Sequence, residues 1–117
     1  MLDLKALLTK ILEFLIITPV KTTFTPMRGS SYTPYGGCYY ETWGRLVHLH
    51  LGISGLVAST GVTITTMPSA LCPPSKVFAQ GTAGSMNSQV IAEMEIDGTV
   101  RVYPSSTYCG VDLYYII

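Results

Sequence analysis

The N-terminal segment carries a helical pattern of apolar positions. Asp3 stands where a helix N-cap is expected, and Pro19 follows the end of the pattern. The apolar residues between these two positions recur at spacings of three and four: Leu4, Leu7, Leu8, Ile11, Leu12, Phe14 and Leu15. This periodicity predicts an amphipathic helix within residues 1–19.

An isolated helix of about 15 residues is marginal in water, so this helix must pack against something. One option is self-association through a short heptad seam, with Leu8 beside it. The seam residues are Leu4, Leu7, Ile11 and Phe14. The other option is a helix that packs on its own domain. We favour an oligomerisation helix, and the sequence leaves the second option open.

The same segment could be read as a signal peptide or a membrane anchor. Lys10 and Glu13 interrupt the apolar run, and no small-residue cleavage site follows Pro19. The run is also too short to cross a bilayer. We therefore expect neither secretion through this segment nor membrane insertion.

After residue 19 the helical period gives way to a period of two. Thr, Val and Tyr are abundant, and Gly, Pro and Ser cluster between the alternating runs. The strongest run predicts a strand over residues 43–57, with Val47 and Leu49 on one face and His48 and His50 on the other. Residues 27–37 read as a long loop. The remaining predicted strands cover residues 20–26, 62–67, 76–80, 90–96 and 108–117, together with a return strand at 100–102.

A hairpin is predicted around Asp97-Gly98. Ile96 paired with Val100, and Met94 with Val102, would keep all four apolar side chains inside. With seven or eight strands in all, residues 20–117 are expected to form an antiparallel, jelly-roll-like β-sandwich.

Composition narrows the possible partners. The formal net charge is zero and only 12% of the residues are charged, so no field favours a phosphate backbone, and we expect no nucleic-acid binding. The mean hydropathy of +0.38 is high for a soluble monomer, which indicates apolar surface covered by other subunits. The three cysteines, Cys38, Cys72 and Cys109, form no CxxC pair, so free thiols are expected rather than a disulfide framework or a zinc site.

Three segments carry a resemblance to a known family. They are WGRLVHLHLGISG at 43–55, VTITTMPSALCPP at 62–74 and VIAEMEIDGTVRV at 90–102. In order and spacing they resemble the C-terminal head domain of phage tail-fibre and baseplate receptor-binding proteins, where a GxxVxLxGxI strand precedes TLPxGxxP and a final IxxxGxVxI hairpin. Met67 and Ala70 depart from that pattern, which has Leu and Gly there. The N-terminal MLDLKALLTKIL also resembles the openings of small phage structural proteins.

The resemblance implies a homotrimeric virion protein that attaches to host cells. Its partners would be its own copies, other virion proteins and a host cell-surface glycan, and its location would be the virion after synthesis in the bacterial cytoplasm. Two alternatives remain open: a bacterial carbohydrate-binding or adhesin-like module, and a capsid or tail decoration without a receptor.

Catalytic chemistry is not indicated. Glu93 and Glu95 share a strand face at a separation of about 6–7 Å, within reach of the carboxylate spacing of glycosidases. They are better explained as the solvent-facing side of an alternating strand. No nucleophile elbow, phosphate-binding loop or HExxH motif is present, and we expect neither enzymatic activity nor a cofactor.

Two groups of residues remain as candidate binding sites. His48 and His50 form a His-x-His pair that could meet its copies on a threefold axis and bind a transition metal, although interface histidines are the commoner outcome. The aromatic residues in and just after the predicted loop could stack on sugar rings or cover a sheet edge. They are Tyr32, Tyr35, Tyr39, Tyr40 and Trp43.

Overall fold

A computed structural model describes residues 3–8, 19–57, 60–83 and 85–117, with no side chain described at 83 or 85–88. Within these ranges the chain is mainly β, as predicted, with one short helix over residues 4–8. The strands are β1 Val20–Thr23, β2 Ser30–Ser31, β3 Cys38–Trp43, β4 Leu46–Ser54, β5 Val62–Thr66, β6 Val77–Ala83, β7 Ser85–Met94, β8 Thr99–Tyr103 and β9 Cys109–Ile116. Short 3₁₀ turns cover Thr33–Tyr35 and Ser69–Leu71.

All described strands belong to one antiparallel sheet. Its order is β1-β3-β4-β9-β6-β7-β8-β5, and β2 pairs with the end of β4. The sheet curls into a half-barrel, and the jelly-roll-like sandwich stays a prediction. The two halves of the sheet meet where Thr82 of β6 pairs with Gly110 of β9.

Gly81 explains how β6 and β9 can stay paired at the corner where the two halves of the sheet meet. A Cβ atom on Gly81 would lie 2.1 Å from the carbonyl oxygen of Gly110. Only a residue without a side chain allows the two backbones to approach this closely. At the other end of the curl, the backbone N–H of Met27 donates to the carbonyl of Ile64 at 2.8 Å, which ties the segment after β1 to β5.

The core fills the inside of the curl. The inward residues of β4, namely Val47, Leu49, Leu51 and Ile53, are fully buried, as the alternation predicted. β9 contributes Val111, Leu113 and Tyr115, and β7 contributes Val90, Ala92 and Met94. Because side chains alternate across a strand, the residues between these positions face outward.

The β7–β8 hairpin has a different register from the predicted one. Met94 pairs with Val100, and Ile96 lies in the turn with 63% of its surface exposed. The turn itself decides the register. Gly98 adopts a φ of 89°, and the Asp97 carboxylate accepts a hydrogen bond from the Thr99 N–H at 2.9 Å. These interactions close a three-residue loop one position earlier than apolar pairing alone suggests.

Strand β3 is not among the predicted strands, because the sequence predicts a loop up to residue 37 and a strand from residue 43 with no element between them. It pairs with β4 through a tight turn at Gly44, whose φ is 58°. Because of this turn, β3 ends at Trp43 and β4 begins at Leu46. The sequence predicted one strand that begins at residue 43.

The described part of the N-terminal segment confirms the predicted helix start. The Asp3 carboxylate accepts a hydrogen bond from the Lys5 N–H at 3.0 Å, as an N-cap does. Leu4, Leu7 and Leu8 are 66%, 37% and 50% exposed. The other proposed seam residues, Ile11 and Phe14, lie outside the described residues. Among the residues described, no helix has the length and apolar character needed to cross a bilayer.

Candidate functional site

A cluster of two histidines and an aspartate lies on the outer face of the sheet. In the register of β4 with β9, His50 stands opposite Asp112 and His48 opposite Tyr114. On the other side of β4, His50 stands opposite Tyr39 of β3. Neighbouring strands are about 4.8 Å apart, so side chains from β3, β4 and β9 meet over β4. We call His48, His50 and Asp112 the His–Asp cluster.

Both histidines point one ring nitrogen at the same carboxylate oxygen. His48 Nε2 lies 2.7 Å and His50 Nδ1 lies 2.6 Å from Asp112 Oδ1. Burial acts to raise the pKa of Asp112, but the hydrogen bonds and charges of the two imidazoles outweigh it, and the pKa stays below its ordinary value. Asp112 is therefore a carboxylate at neutral pH.

The second ring nitrogen of each histidine also faces an acceptor. His48 Nδ1 lies 3.5 Å from Glu41 Oε1, and His50 Nε2 makes a short hydrogen bond with the backbone carbonyl of Tyr35. Gly52 makes the second contact possible, because a Cβ there would be 2.6 Å from that carbonyl oxygen. Hydrogen bonds on both sides thus set the orientation of the His50 ring, and a carboxylate oxygen lies 3.5 Å behind the His48 ring.

Aromatic rings surround the cluster. Tyr114 stacks on His48 with ring centroids 4.3 Å apart and planes 5° apart, and Trp43 stacks on the same imidazole at 6.4 Å. Tyr39 stacks on His50 at 5.0 Å, with Lys21 Nζ 4.1 Å from its ring centroid. Burial raises the pKa of Tyr39, and the nearby carboxylates raise it further.

A second aromatic group continues the same face. Tyr32, Tyr35 and Tyr108 have ring centroids 4.9, 4.9 and 6.4 Å apart. They lie beside Gly110, where a Cβ would be 3.3 Å from the Tyr35 ring. Small residues in β4 and β9 therefore give this tyrosine group room on the sheet. We call the two groups together the aromatic face.

The structure places four of the five aromatic candidates on this face. Tyr40 is the exception: it points inward and stacks on Phe24 at 6.3 Å, against the core. Strand alternation puts it on the opposite side of β3 from Tyr39. Tyr40 therefore lies apart from the aromatic face.

Sequence reasoning missed four members of the site: Glu41, Tyr108, Asp112 and Tyr114. The signal for Asp112 was weak but present, since it stands between the apolar residues Val111 and Leu113 and must face outward. Which strand lies beside it is not readable from alternation. The predicted His48–His50 pair does converge, within one chain and together with Asp112.

Glu93 of β7 and Glu95, which directly follows β7, form an ion-pair network. Lys76 Nζ lies 3.1 Å from Glu93 and 3.0 Å from Glu95, and Arg101 approaches both. The Tyr103 hydroxyl donates to Glu93 at 2.7 Å. This hydrogen bond, together with the cations, lowers the pKa of Glu93 despite its burial. A general acid needs the opposite shift.

A groove on another part of the molecule has fewer side chains that could bind a ligand. It runs between Met27–Gly29, Gly55–Val57 and Gly61–Thr63, and Arg28 is the one charged residue among these lining residues. The convergent polar and aromatic side chains lie on the aromatic face, so the groove is the weaker candidate.

A scan against models of protein families and a search of curated proteins both find no match to this chain. The resemblance to phage receptor-binding heads therefore stays a prediction, and function has to be argued from the site.

Proposed function

We propose that this chain is a non-enzymatic virion component of a phage and that it attaches to the host cell surface by binding glycan on the aromatic face. One observation carries the proposal: aromatic rings lie side by side on the outer face of the sheet, half-buried at Tyr39 and Trp43 on β3 and exposed on β9 and just before it. Tyr114 is 59% exposed and Tyr108 is 39% exposed. Aromatic faces stack on the apolar faces of sugar rings, and polar groups beside them supply specificity.

The polar groups next to these rings suit a neutral, hydroxyl-rich ligand. Asp112 has a side chain that is 47% exposed, and Glu41 and Lys21 flank Tyr39. Carboxylates accept hydrogen bonds from hydroxyl groups, and a lysine donates them. With a formal net charge of zero, the chain has no long-range field that would favour a polyanion instead.

Self-assembly completes the proposal. A homotrimeric, jelly-roll-like assembly would present three aromatic faces, and weak single sites would then bind a cell surface by avidity. The exposure of Leu4, Leu7 and Leu8 supports an assembly role for the N-terminal helix. The same exposed leucines favour the second candidate function, a decoration protein that assembles on the virion and binds no receptor.

Glycan-array binding tests the proposal. We expect the wild-type chain to bind a defined set of glycans, and Trp43→Ala or Tyr114→Ala to weaken that binding roughly tenfold, equivalent to about 1.4 kcal/mol. Phe78→Ala is the matched control, because Phe78 is 63% exposed on β6, outside the aromatic face. It should leave binding unchanged.

Three outcomes would contradict the proposal. Equal losses in all three variants would mean that the aromatic face is not the binding site. No binding by the wild type, together with a trimer mass in light scattering, would favour the decoration protein. A monomer mass at micromolar concentration would refute the homotrimer.

A further inference from the structure

We propose that the His–Asp cluster is a binding site for one divalent transition-metal ion per chain, with Zn²⁺ as the best fit. The ligand atoms would be His48 Nε2, His50 Nδ1 and a carboxylate oxygen of Asp112. One candidate ligand atom from each of the three residues lies within 4.8 Å of the other two. The site does not depend on the glycan proposal, and it differs from a metal shared on a threefold axis because one chain supplies all three ligands.

The two imidazoles have fewer N–H groups than acceptor contacts, which favours a bound cation. The two imidazoles make four contacts with acceptor oxygens: two with Asp112, one with Glu41 and one with the Tyr35 carbonyl. A neutral imidazole carries a single N–H, so two neutral rings can donate to only half of these contacts. With neutral rings, a cation at the point where the two inner nitrogens converge satisfies all four contacts. Each ring then offers a lone pair to the metal and its N–H to the outer acceptor.

The acceptors behind the two rings, on the side away from Asp112, also favour a metal. Histidines that bind metals almost always donate their other N–H to a carboxylate or a backbone carbonyl, which sets the tautomer and orients the ring. Both partners are present here: Glu41 Oε1 lies 3.5 Å from His48 Nδ1, and the Tyr35 carbonyl accepts from His50 Nε2. An arrangement selected only to hold Asp112 would not require acceptors behind both rings.

Geometry and ligand type indicate which ion fits. Ligand atoms on a tetrahedral Zn²⁺ lie about 3.3 Å apart at bond lengths of about 2.0–2.2 Å. The inner contacts measure 2.7 and 2.6 Å and the three ligand atoms span up to 4.8 Å, so on binding the Asp112 oxygen must withdraw from the rings and the ring nitrogens must approach each other, each by less than about 1 Å. The Asp112 side chain is 47% exposed, so solvent lies on one side of it. Two imidazoles with one carboxylate favour Zn²⁺, Co²⁺ or Cu²⁺ over the oxygen-seeking Ca²⁺ and Mg²⁺.

The test uses untagged full-length protein treated with a chelator and then dialysed. Calorimetric titration with Zn²⁺ should give one ion per chain, and Co²⁺ should produce the visible absorption of a tetrahedral site without thiolate charge-transfer bands. The chain has two histidines, and both belong to the cluster, so ligation should shift both sets of imidazole NMR signals. This readout needs no variant and stays valid if a variant fails to fold.

Variants assign the ligands. His50→Ala should abolish binding and Asp112→Asn should weaken it more than tenfold. Glu41→Gln should weaken it about 10–100-fold, as expected for a partner behind a ligand. Glu95→Gln and Cys72→Ser are the controls, one for a carboxylate outside the site and one for the more accessible thiol, and both should bind as the wild type does.

Three results would overturn the proposal: no Zn²⁺ binding at micromolar concentration, binding that survives His50→Ala but not Cys72→Ser, or one ion per three chains. The last result would place the histidines on a threefold axis instead.

Discussion

Gly81→Ala tests the corner that turns one sheet into a curl. Gly81 lies in β6, where β6 crosses β9, and its φ is not in the left-handed region, so alanine brings no backbone strain of its own. The added Cβ would lie 2.1 Å from the Gly110 carbonyl oxygen and 2.7 Å from Val111 Cβ. Both atoms belong to β9, and neither is the tip of a flexible side chain.

The loss of stability caused by Gly81→Ala depends on which atoms must move to relieve the clash. Relief of the clash needs a shift of β9 by roughly 1 Å, and overpacking of this kind costs about 1–3 kcal/mol, occasionally more. Because the neighbouring Val111 and Leu113 are almost fully buried, β9 cannot move without disturbing the core. Against this stands a gain of about 0.4–1 kcal/mol, since alanine restricts the unfolded chain. Because the 2.1 Å contact is with backbone, the cost should lie at or just above the upper end of that range, which leaves a net loss of about 2–3 kcal/mol. That is a large share of the roughly 5–15 kcal/mol typical of a domain.

Urea unfolding followed by circular dichroism measures this loss. The urea concentration at the midpoint should fall, and the dependence of the unfolding free energy on urea concentration should stay unchanged. Gly44→Ala is the matched control, because Gly44 has a φ of 58° and no atom within 4 Å of a built Cβ. Its cost should be only the left-handed backbone penalty of about 1–2 kcal/mol. If Gly81→Ala destabilises less than Gly44→Ala, then β6 and β9 do not approach as closely as described, and the glycine explanation of the curl is wrong.

Two further predictions concern titratable groups. The pKa of Glu93 is lowered in the folded state, so the stability it contributes is present above its ordinary value of 4.5 and is lost as the pH falls through the folded-state value. Urea midpoints from pH 7 to pH 3 should therefore fall more steeply for the wild type than for Glu93→Gln, and parallel curves would refute the ion-pair role. Burial raises the pKa of Cys109 to about 12 and also raises that of Cys38, so iodoacetamide at pH 8 should modify the half-buried Cys72 first. Peptide mapping that finds Cys109 labelled as fast in native protein would contradict this burial.

The sequence predicted several features because they depend on short-range chemistry. Alternation identified the inward faces of β4 and β7, since a strand places successive side chains on opposite sides whatever lies next to it. The N-cap at Asp3 is equally local. The outward direction of His48 and His50 followed from the same alternation, and so did the fact that both lie on one face.

Tertiary structure decided which strands, and therefore which side chains, lie next to one another. Asp112 stands 64 residues after His48, and alternation says which face it occupies but not which strand lies beside it. Turn chemistry at Asp97 and Gly98 overrode apolar pairing in the hairpin, because an exposed isoleucine costs less than a strained turn. Likewise, the two halves of the sheet are joined because Gly81 lets the backbones of β6 and β9 approach closely, and these strands are distant in sequence. The sequence thus determined the faces of the strands, while long-range pairing determined which side chains meet on them, because alternation is a local property and pairing is not.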